Sequence, residues 1–259
     1  MKLTLTGIEN IPLIQPADDL VTIIIDAVQG MGQVLRDDDV LVIAQKVVSK
    51  AENRYLDLAT VEPGDEAKKL AKEVDKDPRK VQAILDQSRE VVRKREGVLI
   101  VEHKLGFVQA NAGIDQSNIP HDGDNEDLLC LLLPEDPDAS ARLIRNGINE
   151  RLGINVGVII NDSLGRAWRN GTVGLAIGVA GFTALDDRIG GEDLFGRELQ
   201  VTVIGAADEL AAGASLVMGQ TTEKTPVVLV RGYAPREPAD PALRGVKPLL
   251  RPREMDLFR

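Results

Sequence analysis

Apolar positions near the start of the chain form two patterns that predict a helix followed by a strand. Val21–Leu35 has apolar residues at helical spacing, and it follows Pro16–Asp19, whose acidic residues suit a helix start. Val40–Ala44 is a short, continuous apolar run after three aspartates. Such a run predicts a buried strand.

The charged middle of the chain, Pro63–Glu96, is helical in pattern. Asp77 followed by Pro78 predicts an N-cap with proline at the first helical position. We interpret the many Lys and Glu residues here as a solvated face. The apolar stripe opposite them consists of Val81, Ile84, Leu85, Val91 and Val92.

The remaining elements alternate without a regular strand–helix–strand period. Strands are predicted at Val98–Glu102, Val156–Ile160, Leu199–Ile204 and Val227–Arg231, and helices at Asp138–Leu152 and Ala206–Met218. This order predicts an α/β or mixed α+β fold with a mixed sheet. The Pro- and Arg-rich tail, Tyr233–Arg259, is expected to wrap over the surface or over a partner subunit.

Composition and charge narrow the functional classes. The chain is 43% hydrophobic and 28% charged, as in soluble globular proteins, and its net charge of −10 disfavours binding to nucleic acid. An anionic substrate therefore needs a local basic pocket. The single cysteine, Cys130, is expected to be a small buried hydrophobe in a reducing compartment. We find no signal peptide and no apolar stretch of the roughly 20 residues needed to span a membrane, so a cytoplasmic protein is expected.

Several common site signatures are absent. No Gly-Lys pair is followed by Ser or Thr, as in a Walker A loop, and no strand leads into GxGxxG. Gly174, Gly178 and Gly181 instead have a spacing that indicates close backbone packing. His103 and His121 are too few for a histidine-based zinc site, and Asp122–Asp127 lacks the last glutamate of a calcium loop, so we interpret it as a solvated loop.

Two polar loops carry candidate chemistry in the first half of the chain. Gln45–Lys50 follows a predicted buried strand, and its two lysines could hold phosphates at that sheet edge or be an ordinary charged strand exit. Ala110–Asn118 contains one carboxylate, Asp115, with no adjacent Lys or Arg in sequence. It could bind a hard metal ion, or be an Asx-rich turn with only local hydrogen bonds.

Two further polar segments lie in the second half. In Asn161–Gly171, Asp162 with Ser163 can ligate Mg²⁺, and Arg166 and Arg169 can grip a carboxylate or phosphate. Trp168 either stacks on a heterocycle or anchors the core. The segment Met218–Thr225 could cradle polyphosphate or be a simple turn.

Taken in order, these segments resemble the coenzyme F420:L-glutamate ligase (F420-0:γ-glutamyl ligase) family. The matching stretches are IPLI at 11–14, VVSKAE at 47–52, GFVQANAGIDQSN at 106–118, DPDASARLIR at 136–145, DSLGRAWRNG at 162–171, ADELAAGASLVMGQ at 207–220 and PVVLVRG at 226–232. The sequence departs from the family pattern at Gln109, where cysteine is common, at Ala167, where proline is common, and at Asn53, where glycine is common. The stretch HKLG at 103–106 also separates the His-Gly pair usual before Phe107, and none of these departures removes a proposed ligand.

The resemblance implies a fold and an assembly. The expected fold is the family's own mixed α/β type with mixed sheets, in an intertwined homodimer. Residues 1–259 are expected to form a single unit without the flavin-reductase-like domain that some members carry.

The resemblance also implies an activity, GTP-dependent addition of L-glutamate to coenzyme F420-0 with γ-linked extension, through an acyl phosphate. Two Mg²⁺ or Mn²⁺ ions per site are implied, with K⁺ as a candidate further ion. The resemblance implies that Asp115 and Asp162 are catalytic and bind one divalent ion, and that Ser163 and Gln220 bind a second. From the chemistry of their side chains, Arg166 and Arg169 are further candidate catalytic residues that grip a substrate carboxylate or phosphate. The implied GTP contacts are Ile11, Pro12, Leu13, Ile14, Gln45, Lys46, Lys50, Asn118, Met218, Gly219, Gln220, Thr221, Thr222, Glu223, Lys224 and Thr225.

Two alternatives to this function remain at the level of sequence. One is an amide ligase of the same architecture with a different acid acceptor. The other is a nonenzymatic deazaflavin or nucleotide carrier, which does not need two carboxylates at a metal site.

Overall fold

The computed structural model describes residues 2–120, 128–233 and 244–257. Its largest sheet has five strands in the order β1 (Thr4–Gly7), β12 (Val227–Arg231), β2 (Val40–Ala44), β8 (Gly157–Gly165) and β9 (Thr172–Ala180). β2 and β8 are parallel and the other neighbours are antiparallel. The predicted mixed sheet is therefore confirmed.

Four helices accompany this sheet: α1 (Leu20–Gly30), α2 (Gln45–Ala51), α5 (Pro137–Leu152) and α6 (Ala206–Met218). Close approach of two of them depends on glycines in β9. A methyl group at Gly178 would overlap the carbonyl of Pro137 in α5, and one at Gly174 would overlap Ser215 in α6. The predicted close packing at these glycines is confirmed.

β9 is an edge strand, and carboxylates occupy two of its outward amides. Asp138 of α5 accepts a hydrogen bond of 2.8 Å from the Val179 amide, and Asp208 of α6 accepts one of 2.9 Å from the Ala176 amide. These contacts satisfy groups that would otherwise template pairing with another strand.

A second, smaller core contains α3 (Asp65–Val74) and α4 (Pro78–Asp86). It also includes the sheet β4 (Ser88–Arg95), β5 (Val98–His103) and β6 (Val108–Ala110), and lies beside the pair β3 (Tyr55–Asp57) and β7 (Leu129–Leu131). Cys130 is buried here, as predicted, and burial raises the pKa of its thiol to about 11. A two-stranded ribbon, β10 (Asp186–Asp187) with β11 (Val203–Ile204), completes the described strands.

Most predicted elements are present, with changed ends. β2, β12 and α6 have their predicted bounds, and Asp77 caps α4 through the Arg79 amide at 2.7 Å. α1 ends at Gly30 rather than Leu35, since Gly32 adopts a positive φ that ends the helix.

Four predictions of secondary structure were wrong. The polar segment Gln45–Lys50, predicted as a loop after β2, is part of the helix α2. Val91 and Val92 lie in β4 rather than on a helix, because the turn at Gly97 returns the chain against β5. The strand predicted at Leu199–Ile204 is reduced to Val203–Ile204. β8 continues through Asp162 and Ser163 to Gly165, five residues beyond its predicted end.

The tail and the acidic segment are described only in part. Tyr233, Leu249 and Leu250 pack against the main core, as expected for a tail that wraps over the surface. The predicted solvated loop Asp122–Asp127, and His121, lie outside the described residues. Among the residues that are described, no helix is long and apolar enough to cross a membrane.

Candidate active site

The polar segments singled out in the sequence converge where β2 and β8 run side by side. Ala44, the last residue of β2, pairs with Asn161, so the start of α2 and Asp162 lie at the same region of the sheet. Side-chain contacts join the segments around this point, and three of them connect different pairs of segments. They are Lys46 Nζ to Asp115 Oδ2 at 2.7 Å, Ser163 Oγ to Gln220 Oε1 at 2.6 Å, and Asn118 Nδ2 to the Thr221 carbonyl at 3.1 Å.

Asp115 is held by a cation that the local sequence does not reveal. Lys46, from the start of α2, pairs with its carboxylate and also donates to Ser117 Oγ at 2.7 Å. Burial by itself would raise the pKa of Asp115, but the hydrogen bonds from Lys46 and from the Ser117 amide outweigh it and lower the pKa. Asp115 is therefore an ionised carboxylate at the point where its loop meets the start of α2.

Asp162 has the opposite electrostatic balance. Burial raises the pKa of its carboxyl to about 6, against a hydrogen bond from the Ser163 amide. The negative charge of Asp115 raises this pKa further, while the charge of Lys46 lowers it. The charges of these three side chains therefore influence one another, and the Asp162 carboxyl loses its proton less readily than an ordinary aspartate.

The second lysine of α2 also reaches the Asp115 loop. Lys50 donates to the Asn118 carbonyl at 2.6 Å, and burial, together with the charge of Lys46, lowers its pKa. Gln45 is buried and accepts a hydrogen bond of 2.9 Å from Ser49, so it supports α2 from within. Both lysines thus point toward the loop that carries Asp115.

The segment Met218–Thr225 folds around one carboxylate. Gly219 ends α6 with a φ of +74°, and Lys224 also has a positive φ. Glu223 accepts a hydrogen bond of 2.7 Å from the Thr221 amide, and backbone amides of the loop lower its pKa. Gln220 and Thr221 are thereby presented to Ser163 and Asn118.

The segment Ile11–Ile14 lies between two backbone hydrogen bonds. Ile8 donates to the Val227 carbonyl, just after the Met218–Thr225 loop, and Ala17 donates to the Ala51 carbonyl at the end of α2, both at 2.8 Å. Ile14 is buried, whereas Leu13 is 79% exposed. This segment therefore runs between two of the other candidate nucleotide-binding segments.

The two arginines lie at the tip of the β8–β9 hairpin. Arg166 donates to the Gly171 carbonyl at 2.9 Å and closes the turn, and Arg169 is exposed. Trp168 is 87% exposed with a positive φ, so the core-anchor alternative is wrong. None of the hydrogen bonds described for Arg166 joins it to the carboxylate pair.

Two residues of the site, Lys80 and Gln116, were not among the site residues predicted from the sequence. Lys80 of α4 donates to the side-chain oxygen of Gln116, next to Asp115. The two residues are 36 positions apart, and the lysine belongs to a helix whose charges we interpreted as a solvated face. No local signal distinguishes it from the other lysines of that face.

The donor set fits a hard divalent cation. Asp115, Asp162, Ser163 and Gln220 offer carboxylate, hydroxyl and amide oxygens, which Mg²⁺ and Mn²⁺ prefer. Within the described ranges, no group of three or more His, Cys, Asp or Glu side chains is placed to hold a metal ion. Two carboxylates suffice where substrate phosphates and water complete the coordination, as is usual for Mg²⁺.

Over most of its length, the chain is similar to known proteins of one family. The family model described as F420-0:Gamma-glutamyl ligase matches residues 8–232. A coenzyme F420:L-glutamate ligase of Methanothermobacter thermautotrophicus is 46% identical over 259 residues, which is 100% of both chains. Those of Methanopyrus kandleri and Methanocaldococcus jannaschii are 43% and 46% identical, over 97% and 87% of this chain and 97% and 86% of their own.

Proposed function

Because the chain belongs to the F420-0:gamma-glutamyl ligase family, we propose that it joins L-glutamate to coenzyme F420-0 through an amide bond. GTP as the energy source and γ-linked addition of a further glutamate are part of the proposal. The relatives named as coenzyme F420:L-glutamate ligases support the reaction, since they align with nearly the whole chain.

The observation that carries the proposal is the convergence of two carboxylates with two lysines. Asp115, Asp162, Lys46 and Lys50 come from three separated stretches of sequence and meet at one place. A carboxylate substrate is a poor acceptor for an amine until it is activated. A site with lysines for phosphate and oxygen donors for a cation suits activation by phosphoryl transfer.

The proposed reaction has two steps. The acceptor carboxylate attacks the γ-phosphorus of GTP, and the bond to GDP breaks to leave an acyl phosphate. The neutral amine of glutamate then attacks the acyl carbon, the bond from that carbon to the phosphate oxygen breaks, and the proton lost by the nitrogen leaves with the inorganic phosphate. Two divalent ions, held by Asp115, Asp162, Ser163 and Gln220 with K⁺ as a further candidate, would neutralise phosphate charge and align the reactants.

The chain's own groups would bind and orient the substrates. Lys46 and Lys50 contact the Asp115 loop, so they would bind the phosphates of a nucleotide held at this loop. The loop Met218–Thr225 and the segment Ile11–Ile14 flank this region, as expected of nucleotide contacts. Arg166 and Arg169, at the hairpin tip, are proposed to grip a substrate carboxylate or phosphate.

A homodimer is also part of the proposal. The segment between β10 and β11 exposes Leu194, Phe195 and Val201 at 99%, 95% and 85%. Large apolar side chains so exposed are typical of a surface that a partner covers. Light scattering after size exclusion is expected to give twice the chain mass of 28.0 kDa.

A cytoplasmic setting is proposed as well, consistent with a single, buried free cysteine.

The deciding experiment is incubation of the protein with F420-0, GTP, Mn²⁺ and L-glutamate, followed by mass analysis of the coenzyme. The expected result is a mass gain of one or more glutamyl residues with release of GDP. Metal-dependent GDP release with another acid but not with F420-0 would favour the alternative acceptor. Binding of deazaflavin or nucleotide without GDP release would favour a carrier and reject the ligase.

A further inference from the structure

The Asp115 loop is held from two sides by lysines of two different cores. Lys46 and Lys50 belong to α2, beside the five-stranded sheet, and they bind Asp115, Ser117 and the Asn118 carbonyl. On the other side, Lys80 of α4 binds Gln116. Consecutive residues of one loop are therefore fixed alternately by the large core and the small core.

The contact of Lys80 is of a kind that orients a side chain rather than neutralises a charge. Its ammonium donates to a neutral amide oxygen, and both side chains are half-buried. A hydrogen bond with one ionised partner is stronger than a neutral one, and partial burial protects it from competing water. The amide of Gln116 therefore has a defined position relative to α4.

The position of Lys80 is itself fixed by the helix that carries it. Asp77 caps the first turn of α4, and Val81 and Ile84 are buried in the small core. The backbone of the loop is anchored to the same core by Ala112 and Ile114, which are both buried. Lys80 thus completes a rigid support that begins in the small core and ends one residue from Asp115.

We infer that Lys80 is a positioning residue, which acts through Gln116 to fix the orientation of the Asp115 carboxylate. This inference rests on the proposed function, because it assumes that Asp115 works in catalysis. Lys46 and the Ser117 amide bind the carboxylate itself, and the Asp115 backbone pairs with Leu131. Loss of Lys80 removes the hold of α4 on the residue between Asp115 and Ser117, and this part of the loop is then expected to shift toward α2. Since a misplacement of about 1 Å can reduce a rate about a hundredfold, such a shift is expected to lower kcat.

The test compares Lys80→Met, Lys80→Arg, Gln116→Leu and the double variant Lys80→Met/Gln116→Leu. Lys72→Met is the matched control, because Lys72 is an exposed lysine on α3 in the same core. For each protein, kcat and KM for GTP and glutamate, the melting temperature, and amide hydrogen exchange of the peptide spanning 110–118 are measured.

Lys80→Met and Gln116→Leu are each expected to lower kcat about tenfold or more, with KM values and melting temperature close to wild type. Exchange in the 110–118 peptide should be faster in both. Lys80→Arg should recover most of the rate, and the double variant should be no worse than the single ones, because both substitutions break the same contact.

Three results would overturn the inference. They are a wild-type kcat in Lys80→Met, a loss of rate that only follows a loss of melting temperature, and losses that multiply in the double variant. If wild type itself forms no glutamylated product, the proposed function fails instead. Hydrogen exchange still tests the support in that case, since unchanged exchange in Lys80→Met would show that Lys80 does not hold the loop.

Discussion

The two carboxylates of the site are held by regions that are built differently. Asp162 lies within β8, where it pairs with Leu175 of β9, so the backbone ladder sets its position. Asp115 lies in a loop, with a single bridge to Leu131, and lysine side chains from two cores complete its support. One half of this site therefore depends on main-chain pairing, and the other half depends on ion pairs and hydrogen bonds made by lysine side chains.

The largest effect on stability is expected from a substitution in the large sheet, at the end of β2 opposite the site. Asp39, just before β2, has a side chain only 2% exposed and receives two hydrogen bonds of 2.7 Å from Arg231 of β12. Arg231→Met leaves a buried charge unpaired and is expected to cost about 3–5 kcal/mol of unfolding free energy in urea titration.

The control for Arg231→Met is the double variant Asp39→Asn/Arg231→Met, which removes both charges and should recover part of the loss. Because Asp39 precedes β2 and the site follows it, kcat of the folded fraction should stay near wild type. A fall in kcat with little change in unfolding free energy would contradict the separation of sheet stability from the site.

The next effect concerns the two carboxylates themselves. Asp115→Ala and Asp162→Ala are each expected to lower kcat at least ~10²-fold, the scale of losing one preorganised charge stabiliser. Their effects on the melting temperature should differ. Asp115→Ala leaves Lys46 without its ion-pair partner and should lower the melting temperature. Among the described contacts, Asp162 has no cationic partner at hydrogen-bond distance, so Asp162→Ala should lower the melting temperature less.

Steady-state kinetics at saturating Mg²⁺ or Mn²⁺ and calorimetry check these two variants. Near-normal turnover in either variant would reject the role of two carboxylates in the reaction. An equal loss of stability in both would reject the difference between the strand-held and loop-held group.

The sequence predicts the large sheet better than it predicts the site. β2, β12 and α6 were placed correctly, because a continuous apolar run or a helical spacing is a local property of the chain. β4 was missed, because its pairing with β5 depends on the turn at Gly97 rather than on its own alternation.

Within the site, residue types were predictable and partners were not. Asp115, Asp162 and Lys46 stand out in polar segments, but the 2.7 Å contact of Lys46 with Asp115 joins residues 69 positions apart, as their numbers show. Lys80 looks like any solvated lysine until α4 is packed against the loop. Such long-range partners follow from topology, which local patterns do not encode.

A third prediction concerns pH and the small core. His103 is buried, and its Nδ1 accepts a hydrogen bond of 2.9 Å from the Leu105 amide, which requires a neutral ring. Burial, with smaller contributions from the charges of Lys104, Arg54 and Arg89, lowers the pKa of His103 from 6.5 to about 4. The unfolded chain therefore binds more protons than the native protein between these two values.

The contribution of His103 is fully present above about pH 6.5 and is lost as pH falls toward about 4, by at most about 3 kcal/mol. His103→Gln keeps a hydrogen-bond acceptor but does not titrate. Between about pH 7 and about pH 4.5, the unfolding free energy from urea titration should fall less steeply for His103→Gln than for wild type. Parallel pH dependences of the two proteins would contradict the role of His103.

The smallest effect is expected at β6, next to the Asp115 loop. Gln109 is 6% exposed, and its Nε2 is buried with no hydrogen-bond partner in the described part of the chain. An unsatisfied buried donor costs about 1–3 kcal/mol, so Gln109→Met, of similar shape, should raise the unfolding free energy by about 1 kcal/mol.

The matched control for Gln109→Met is Gln82→Met in the same core. Gln82 is satisfied, since its Nε2 donates to Asp86 at 2.8 Å and its Oε1 accepts from the Gly64 amide at 2.9 Å. Removing these bonds should lower the unfolding free energy by about 1 kcal/mol, so the two substitutions should shift it in opposite directions. If both lower it, Gln109 has a partner in solution, and the neighbourhood of the Asp115 loop is more polar than the apolar packing around it indicates.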